Sequence, residues 1–194
     1  MGILYLYGNL QSGTKETRLK LLDHLDLVPF SPKDILALID SEQQFGLSFG
    51  ISPAEGLREM FISDEVSPEW IAQLHNSTSA DPFRHGFALI HKADNLVIGS
   101  LGFTGPPDQD GIVEIAYGIA PAYQNRGFAT EAAKAGVEFA LSRDTVTKVI
   151  AHTLPSFNAS AHVLTKCGFE QVGEIEHPED GLIWRWEKQG KVKR

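Results

Sequence analysis

A glycine at the start of a predicted helix is the strongest candidate for chemistry in this chain. The segment 119–131 (IAPAYQNRGFATE) reads as a strand end, a short turn and a helix that begins at Gly127. The first N–H groups of a helix have no partner and lie at the positive end of the helix dipole, so they suit a pyrophosphate. Gly127 has no Cβ and lets a ligand come close, and Arg126 adds a positive charge nearby. A tight turn alone explains Gly127 equally well.

Other motifs narrow the possible chemistry. The chain has no GxxxxGK[ST] segment, and its glycines at 99, 102 and 105 do not form a GxGxxG motif before a helix. One cysteine, Cys167, excludes an internal disulfide and a cysteine-based zinc site, and we expect no metal. A net charge of −8 argues against non-specific binding of nucleic acid. The same charge suits a cationic acceptor such as an amine, although solubility by itself is the better explanation of it.

Targeting signals are not evident. No apolar run approaches the roughly 20 residues that span a bilayer, and the first ten residues (MGILYLYGNL) do not form a convincing signal peptide. We therefore expect a cytoplasmic protein, either a monomer or a homodimer, without a membrane or nucleic-acid partner.

The first 82 residues are predicted to be rich in helices. Ser-Pro pairs at Ser31, Ser52 and Ser67 place a capping residue before a proline at the first helical position. They predict helices over 32–41, 53–62 and 68–76. A short strand over 25–28 precedes them, and a loop rich in Gly and Phe is predicted over 43–51.

Strands and helices alternate in the rest of the chain. The predicted strands cover 87–90, 96–99, 111–120, 146–153, 169–175 and 182–188. A helix over 127–142 carries a stripe of mostly small residues at helical spacing, which would let it lie close to a sheet. A shorter helix over 159–167 follows Asn158, its predicted N-cap.

Two segments resemble a known family. Gln124–Ala129 (QNRGFA) resembles the Q/R-x-x-G-x-G/A signature of the GNAT superfamily of N-acetyltransferases. Gly127–Ala132 (GFATEA) is similar to the helix start of the RimJ/RimL-like branch, the ribosomal-protein-alanine acetyltransferases. Asn158-Ala159-Ser160, with the later segment 163–169 (VLTKCGF), is similar to the second signature of that branch. The resemblance is strong over 85–175, weaker over 20–82 and absent in 1–18.

The resemblance implies acetyl-CoA as the co-substrate. Its pyrophosphate would lie on the backbone N–H groups of Gln124, Asn125, Arg126, Gly127, Phe128, Ala129 and Thr130. Its pantetheine arm would pair with the strand near Ile119 and contact Asn158 from the other side. Ala129 stands where the signature has Gly or Ala, and it suits a helical backbone.

The resemblance also implies direct acetyl transfer without an acyl-enzyme. It places a base carboxylate on the central strand, where this chain has Glu114; a solvated strand residue or an ion-pair partner explains Glu114 about equally well. The tyrosine that many relatives use as the acid falls at Leu164 here. We therefore predict Ser160 as the acid, with Tyr117 and His152 in reserve.

The implied architecture is a single α/β (α+β) domain over 1–194, with a central mixed, mostly antiparallel splayed sheet and helices on both faces. We divide it into an N-terminal extension over 1–18, an acceptor-side helical part over 20–82 and an acetyl-CoA-binding core over 83–194. Residues 30–82 and the last strands would form the acceptor side. One of Trp184 and Trp186 is a candidate wall for it, although core packing is expected for at least one of them.

The leading function is acetyl-CoA-dependent N-acetylation of a primary amine, on a protein N-terminus or a small molecule. Two alternatives stay open. Leu164 motivates a CoA-binding regulatory module without catalysis, and transfer of a longer acyl group would need room near Tyr117 and Leu164.

Overall fold

The computed structural model describes residues 22–62, 66–178 and 181–190. Its strands are β1 (Leu25–Pro29), β2 (Phe87–His91), β3 (Leu96–Phe103), β4 (Ile112–Ile119), β5 (Lys148–Thr153), β6 (Glu170–His177) and β7 (Gly181–Gln189). Its α-helices are α1 (Pro32–Asp40), α2 (Glu42–Phe49), α3 (Pro68–Asn76), α4 (Pro82–His85), α5 (Phe128–Leu141) and α6 (Ala159–Lys166). The predicted N-terminal extension, 1–18, lies outside the described residues.

The strands form one sheet that opens in its middle. Their order is β1-β2-β3-β4-β5-β7-β6, and every pair is antiparallel except β4 with β5. That parallel pairing covers only 112–114 with 148–150. Beyond Glu114 and Ile150 the two strands are no longer paired, so a cleft opens between them. The predicted mixed, mostly antiparallel splayed sheet is confirmed.

Helices cover both faces of the sheet because the strands alternate their apolar side chains. In β2, Phe87 and Leu89 join the core beneath α5 and α6, whereas Ala88 and Ile90 join a second core. The second core contains Phe30 and residues of α1, α2 and α3. The predicted arrangement of helices on both faces is therefore confirmed.

Helix α5 lies close to the sheet through its small residues. A Cβ on Gly136 would come within 2.7 Å of a Leu101 methyl carbon and 3.1 Å of an Ile115 methyl carbon. Ala132, Ala133 and other small residues of this stripe are fully buried. Tight packing of this kind fixes the position of the helix start that follows β4.

Two predicted elements of the first part are wrong. The predicted loop over 43–51 is mostly helix α2, which Ser41 caps by accepting the Gln44 N–H and which ends at Gly50 with φ of 84°. The predicted helix over 53–62 is a bridge, a turn and a short 3-10 helix (Arg58–Phe61). Backbone hydrogen bonds from this segment to Val97 in β3 replace the first helical turn. Tertiary pairing thus outweighs the local Ser-Pro signal.

Candidate active site

The start of α5 has the geometry that the sequence predicts. Gly127 is its N-cap with φ of 88°, no side chain caps the helix, and the first helical bond runs from the Glu131 N–H to the Gly127 carbonyl. The N–H groups of the first turn therefore have no intrahelical acceptor. Among the residues that the structure describes, no atom would lie within 4 Å of a Cβ added to Gly127, so these residues leave the space beside Gly127 open. The residues present fit a pyrophosphate.

An aromatic cluster supports this helix start from below. The buried Phe128 ring lies 4.9 Å from the His91 ring, and the Arg126 guanidinium lies 5.0 Å above Phe128 and 5.3 Å above Tyr123. Asp94, in the turn between β2 and β3, accepts hydrogen bonds from the Tyr123 hydroxyl at 2.7 Å and from the His91 ring at 3.0 Å. The turn before Gly127 is therefore anchored to the neighbouring hairpin.

The Glu131 side chain anchors the helix start to β1. Its carboxylate accepts hydrogen bonds from the backbone N–H groups of His24 and Leu25 and from the His24 ring. Burial acts to raise the pKa of Glu131, but these hydrogen bonds outweigh it and hold that pKa below its ordinary value. The anchor is a charged carboxylate at neutral pH.

The end of β4 contacts the turn that follows it. The Gln124 amide donates a hydrogen bond of 2.9 Å to the Ile119 carbonyl. Gln124, Asn125, Arg126 and Gly127 are exposed, and Asn125 adopts a left-handed backbone with φ of 59°. Residues 124–127 of the predicted pyrophosphate site thus form an exposed turn between β4 and α5, and the remaining three, 128–130, form the first turn of α5.

The first turn of α6 lies on the other side of that cleft. Asn158 caps the helix by accepting the Ala161 N–H at 3.0 Å. The Tyr117 hydroxyl reaches across from β4 and lies 3.4 Å from the Ser160 carbonyl oxygen. Burial raises the pKa of Tyr117, so this phenol is protonated at neutral pH. The structure brings Asn158, Ser160 and Tyr117 together.

Glu114 and His152 meet where the strands separate. Glu114 is opposite Ile150 in the last pair of β4 and β5, and His152 is two residues further along β5 on the same face. The Glu114 Oε1 lies 2.7 Å from the His152 Nδ1. The His152 Nε2 is buried without a hydrogen-bond partner among the described residues. Sequence reasoning named both residues separately, but did not predict their pairing.

An ion-pair network, which sequence reasoning missed, lies beside this pair. Arg185 of β7 is opposite His152, and Glu187 is opposite Ile150. Glu187 accepts hydrogen bonds from Lys148 at 2.6 Å and Arg185 at 3.0 Å. The hydrogen bond from Lys148 is the main cause that lowers the pKa of Glu187. No motif marks these residues, because their proximity depends on the pairing of β5 with β7.

A groove of about 400 Å³ lies on the Glu114 face of the sheet. Its floor includes Ser100 and Gly102 of β3, Thr104 just after β3, and Ala116 and Gly118 of β4. Its walls include Met60, Phe61, Trp70, Arg84 and His85. The Thr104 N–H donates to the Glu114 carbonyl, and Ala116 and Gly118 lie on the same face of β4 as Glu114, so the groove adjoins the Glu114 side chain. This groove is the candidate acceptor site.

The wall that contains Met60 is held by Arg58. Its guanidinium donates hydrogen bonds to the carbonyls of Leu38, Ile39 and Asp40 at the end of α1. A Cβ on Gly118 would come within 2.7 Å of the Met60 sulfur, so Met60 lies directly against β4. Residues from distant parts of the chain therefore shape the groove together.

Other predicted residues lie in the core. Leu164 is 1% exposed, and Cys167 is buried with its Sγ 3.8 Å from the Thr130 carbonyl. Trp186 is buried and donates to the Thr153 hydroxyl, whereas Trp184 packs against Phe157 at 5.0 Å. The tryptophan in the groove is Trp70, which sequence reasoning did not select.

Within residues 22–62, 66–178 and 181–190, no cluster of three or more His, Cys, Asp or Glu side chains is arranged to hold a metal ion. Over the same residues, no helix has both the length and the apolar character needed to cross a membrane.

The family is decided by a match over most of the chain. Residues 24–170 match the family model described as the acetyltransferase (GNAT) domain. The chain belongs to the GNAT acetyltransferase family. One curated relative is the uncharacterized N-acetyltransferase YjdG of Bacillus subtilis (strain 168), 35% identical over 82 residues. That match covers 42% of this chain and 49% of YjdG, so it spans about half of the relative.

Solved structures share the fold. RimL, described as a ribosomal L7/L12 alpha-N-protein acetyltransferase in complex with coenzyme A, superposes with a TM-score of 0.63 at 14% identity. The superposition covers 90% of this chain and 99% of RimL. The structure of AAC(6')-Ib in complex with ribostamycin and coenzyme A superposes with a TM-score of 0.57 at 20% identity. That superposition covers 86% of this chain and 94% of the AAC(6')-Ib chain. Both similarities support the GNAT fold.

Proposed function

We propose that this protein is an acetyl-CoA-dependent N-acetyltransferase that moves an acetyl group directly to a primary amine. The observation that carries the proposal is the position of the uncapped start of α5 at Gly127. It lies at the mouth of the cleft between β4 and β5, and Glu114 lies where that cleft closes. Family membership and a CoA-bound structural neighbour support the same co-substrate.

The proposal assigns the co-substrate to three parts of the chain. The turn and first helical residues, 124–130, would hold the pyrophosphate through backbone N–H groups. Ile119 would pair with the pantetheine arm along the edge of β4 that faces β5 but is no longer paired with it. Asn158 would contact that arm from α6. Acetyl-CoA, when bound, supplies the thioester whose C–S bond breaks as the new C–N bond forms.

Glu114 is proposed as the base. Its Oε1 is engaged by His152, and its side chain remains 29% exposed, so it can accept a proton from the acceptor ammonium directly or through a water. His152 would hold the carboxylate in position from the far side of the cleft. We assign it a positioning role, which matches its hydrogen bond to Glu114.

Ser160 is proposed to return a proton to the leaving thiolate, with Tyr117 beside it. The Tyr117 hydroxyl contacts the backbone of Ser160, so both hydroxyl groups belong to one part of the cleft. Leu164, at the position where the family resemblance expects a tyrosine, is fully buried and has no proton to give.

We further propose membership of the RimJ/RimL-like branch and a primary amine of either of two classes as the acceptor. The second signature, Asn158–Ser160 with 163–169, spans α6 from its N-cap to just beyond its end. RimL is also among the structural neighbours, and both observations support a RimJ/RimL-like protein. Because the neighbours include an enzyme described as acting on protein N-termini and one bound to an aminoglycoside, either acceptor class is compatible with the fold.

Thermal melting with and without acetyl-CoA tests the co-substrate, with ATP and NADH as controls. A ligand at about 100 times its Kd adds roughly 2.7 kcal/mol to native-state stability, and we expect a shift with acetyl-CoA alone. Release of free thiol with a panel of amines then tests the reaction. Binding without release on any amine would favour the non-catalytic CoA-binding module, and release only with longer acyl-CoA would favour the other alternative.

A further inference from the structure

The acceptor groove continues beyond the sheet into a second hollow. This hollow of about 340 Å³ is lined by Gln73, Leu74, Asn76 and Ser77 of the α3 region. Trp70, Arg84 and His85 line both spaces and form the boundary between them. An acceptor bound over the sheet would therefore have these three side chains beside its distal end.

His85 is a fixed hydrogen-bond donor at this boundary. It is only 8% exposed, and its Nδ1 accepts the Asp81 N–H at 2.9 Å, which leaves the proton of the neutral ring on Nε2. Burial lowers the pKa of His85, so the ring stays neutral at pH 7; Asp81 acts to raise that pKa and Arg84 to lower it. Its Nε2 has no hydrogen-bond partner among the described residues, and it can donate to a ligand.

Arg84 adds a second, charged donor next to it. Its Nε lies 3.4 Å from an Asp81 carboxylate oxygen, and its side chain is 55% exposed. That carboxylate also caps α4 by accepting the Phe83 N–H, so it is only partly available to Arg84. Within the part of the chain that the structure describes, the terminal Nη groups of Arg84 have no hydrogen-bond acceptor. Arginine presents several donors and no acceptor, which matches a carboxylate.

The opposite end of the groove has the reverse chemistry. Glu114 lies on β4 next to Thr104, a residue of the groove. Arg84 and His85 lie on α4, which leads into β2 on the other side of β3. Neighbouring strands are about 4.8 Å apart, so the backbones of β2 and β4, two strands apart, are separated by roughly 10 Å. The side chains that extend from the two ends of the groove shorten this distance. A carboxylate at one end and donors at the other suit an acceptor with an ammonium group and an anionic oxygen a few bonds apart.

We propose that His85 Nε2–H and Arg84 form a subsite that binds a carboxylate of the acceptor, with Trp70 and Phe61 beside its apolar part. The preferred acceptors are then amino-acid-like amines with a free carboxylate rather than polycations such as polyamines and aminoglycosides. This inference rests on the proposed function, since it names the acceptor class for the same site.

The test compares L-phenylalanine with L-phenylalaninamide and spermidine in thiol release. With kcat/KM calculated for the unprotonated amine, we expect phenylalanine to exceed both other amines at least tenfold. Arg84→Gln should remove this preference. Arg143→Gln, a change of the same type just after the end of α5 and outside the groove, should not. His85→Asn keeps an acceptor for the Asp81 N–H but loses the Nε2 donor, and should also remove the preference. His85→Gln places an amide N–H near the Nε2 position and should keep most of it.

The outcomes separate this inference from the proposed function. Equal rates with phenylalanine and its amide, or faster reaction of spermidine, would overturn the carboxylate subsite while leaving the acetyltransferase intact. If no amine reacts, the proposed function fails, and calorimetric titration of the CoA-saturated protein with phenylalanine still decides the subsite. Phenylalanine binding that the Arg84→Gln substitution weakens at least fivefold would support the carboxylate subsite. No phenylalanine binding, or binding that the substitution leaves unchanged, would overturn it.

Discussion

The co-substrate cleft and the acceptor groove lie side by side but are built in different ways. The cleft uses backbone N–H groups, a left-handed glycine and the separation of two strands, with side chains mainly in support. The groove uses side chains from the 3-10 helix Arg58–Phe61, from α3 and α4 and from the sheet. Its shape therefore depends on how several separate segments pack.

This difference predicts how each region responds to substitution. A backbone site fails when bulk or charge enters it, and it tolerates changes in most neighbouring side chains. A side-chain site loses affinity or selectivity one contact at a time.

Gly127→Glu should abolish the acetyl-CoA-induced shift in melting temperature, since it places bulk and negative charge where the pyrophosphate is expected. Gly50→Glu, at the end of α2, is the matched control, because Gly50 has a similar φ of 84° and likewise has no described atom within 4 Å of an added Cβ. The ligand shift should persist in that variant. Undiminished binding by the Gly127 variant would refute the assigned pyrophosphate site.

Glu114→Gln should lower kcat about 100- to 10,000-fold near neutral pH, with acetyl-CoA affinity nearly unchanged, because it removes the proposed base. His152→Gln should lower kcat less and alter the pH profile, since it acts through Glu114. The control is Glu170→Gln on the exposed strand β6. A wild-type rate for Glu114→Gln at every pH would exclude this carboxylate as the base.

Ser160→Ala should lower kcat about tenfold, equal to roughly 1.4 kcal/mol of barrier, if its hydroxyl returns the proton to the thiolate. Tyr117→Phe removes the other hydroxyl group of the cleft and so distinguishes its contribution from that of Ser160. An effect of Tyr117→Phe alone would transfer the role of acid to the tyrosine. Steady-state rates with acetyl-CoA at saturation are the measurement.

Tyr123→Phe should raise the KM for acetyl-CoA about fivefold with little change in kcat, because it removes the hydrogen bond to Asp94 that anchors the turn before Gly127. Tyr7→Phe, the same change in the segment outside the described residues, serves as a comparison. A fall in kcat with an unchanged KM would contradict a purely positioning role.

Glu131→Gln should reduce stability by about 1 kcal/mol at pH 7, after allowance for solvent screening of the carboxylate. The pKa of Glu131 is lower in the folded protein, so its contribution is present above the ordinary value of 4.5 and is lost as pH falls through the folded-state value. In urea unfolding, the difference in free energy of unfolding between the wild type and Glu131→Gln should be smaller at pH 4 than at pH 7. Glu138→Gln on the exposed face of α5 should show no such narrowing.

Local patterns were sufficient for some elements and misleading for others. Ser31 and Ser67 correctly marked the starts of α1 and α3, because capping is decided within one turn of chain. Ser52 carried a similar signal, yet its segment pairs with Val97 of β3 and does not form an α-helix. Helix α2 was missed although Ser41 and Gly50 provide its two caps, since the Gly- and Phe-rich composition between them suggested a loop.

The same distinction applies to the site. The helix start at Gly127 and the family signatures can be recognised without coordinates, because each lies within a short continuous segment. The meeting of Glu114 with His152, the bonds of Glu187 to Lys148 and Arg185, and the border of the acceptor groove at Arg84, His85 and Trp70 exist only in the folded chain. Strand register and helix packing bring these residues together from separate segments, and such contacts leave no spacing pattern along the chain.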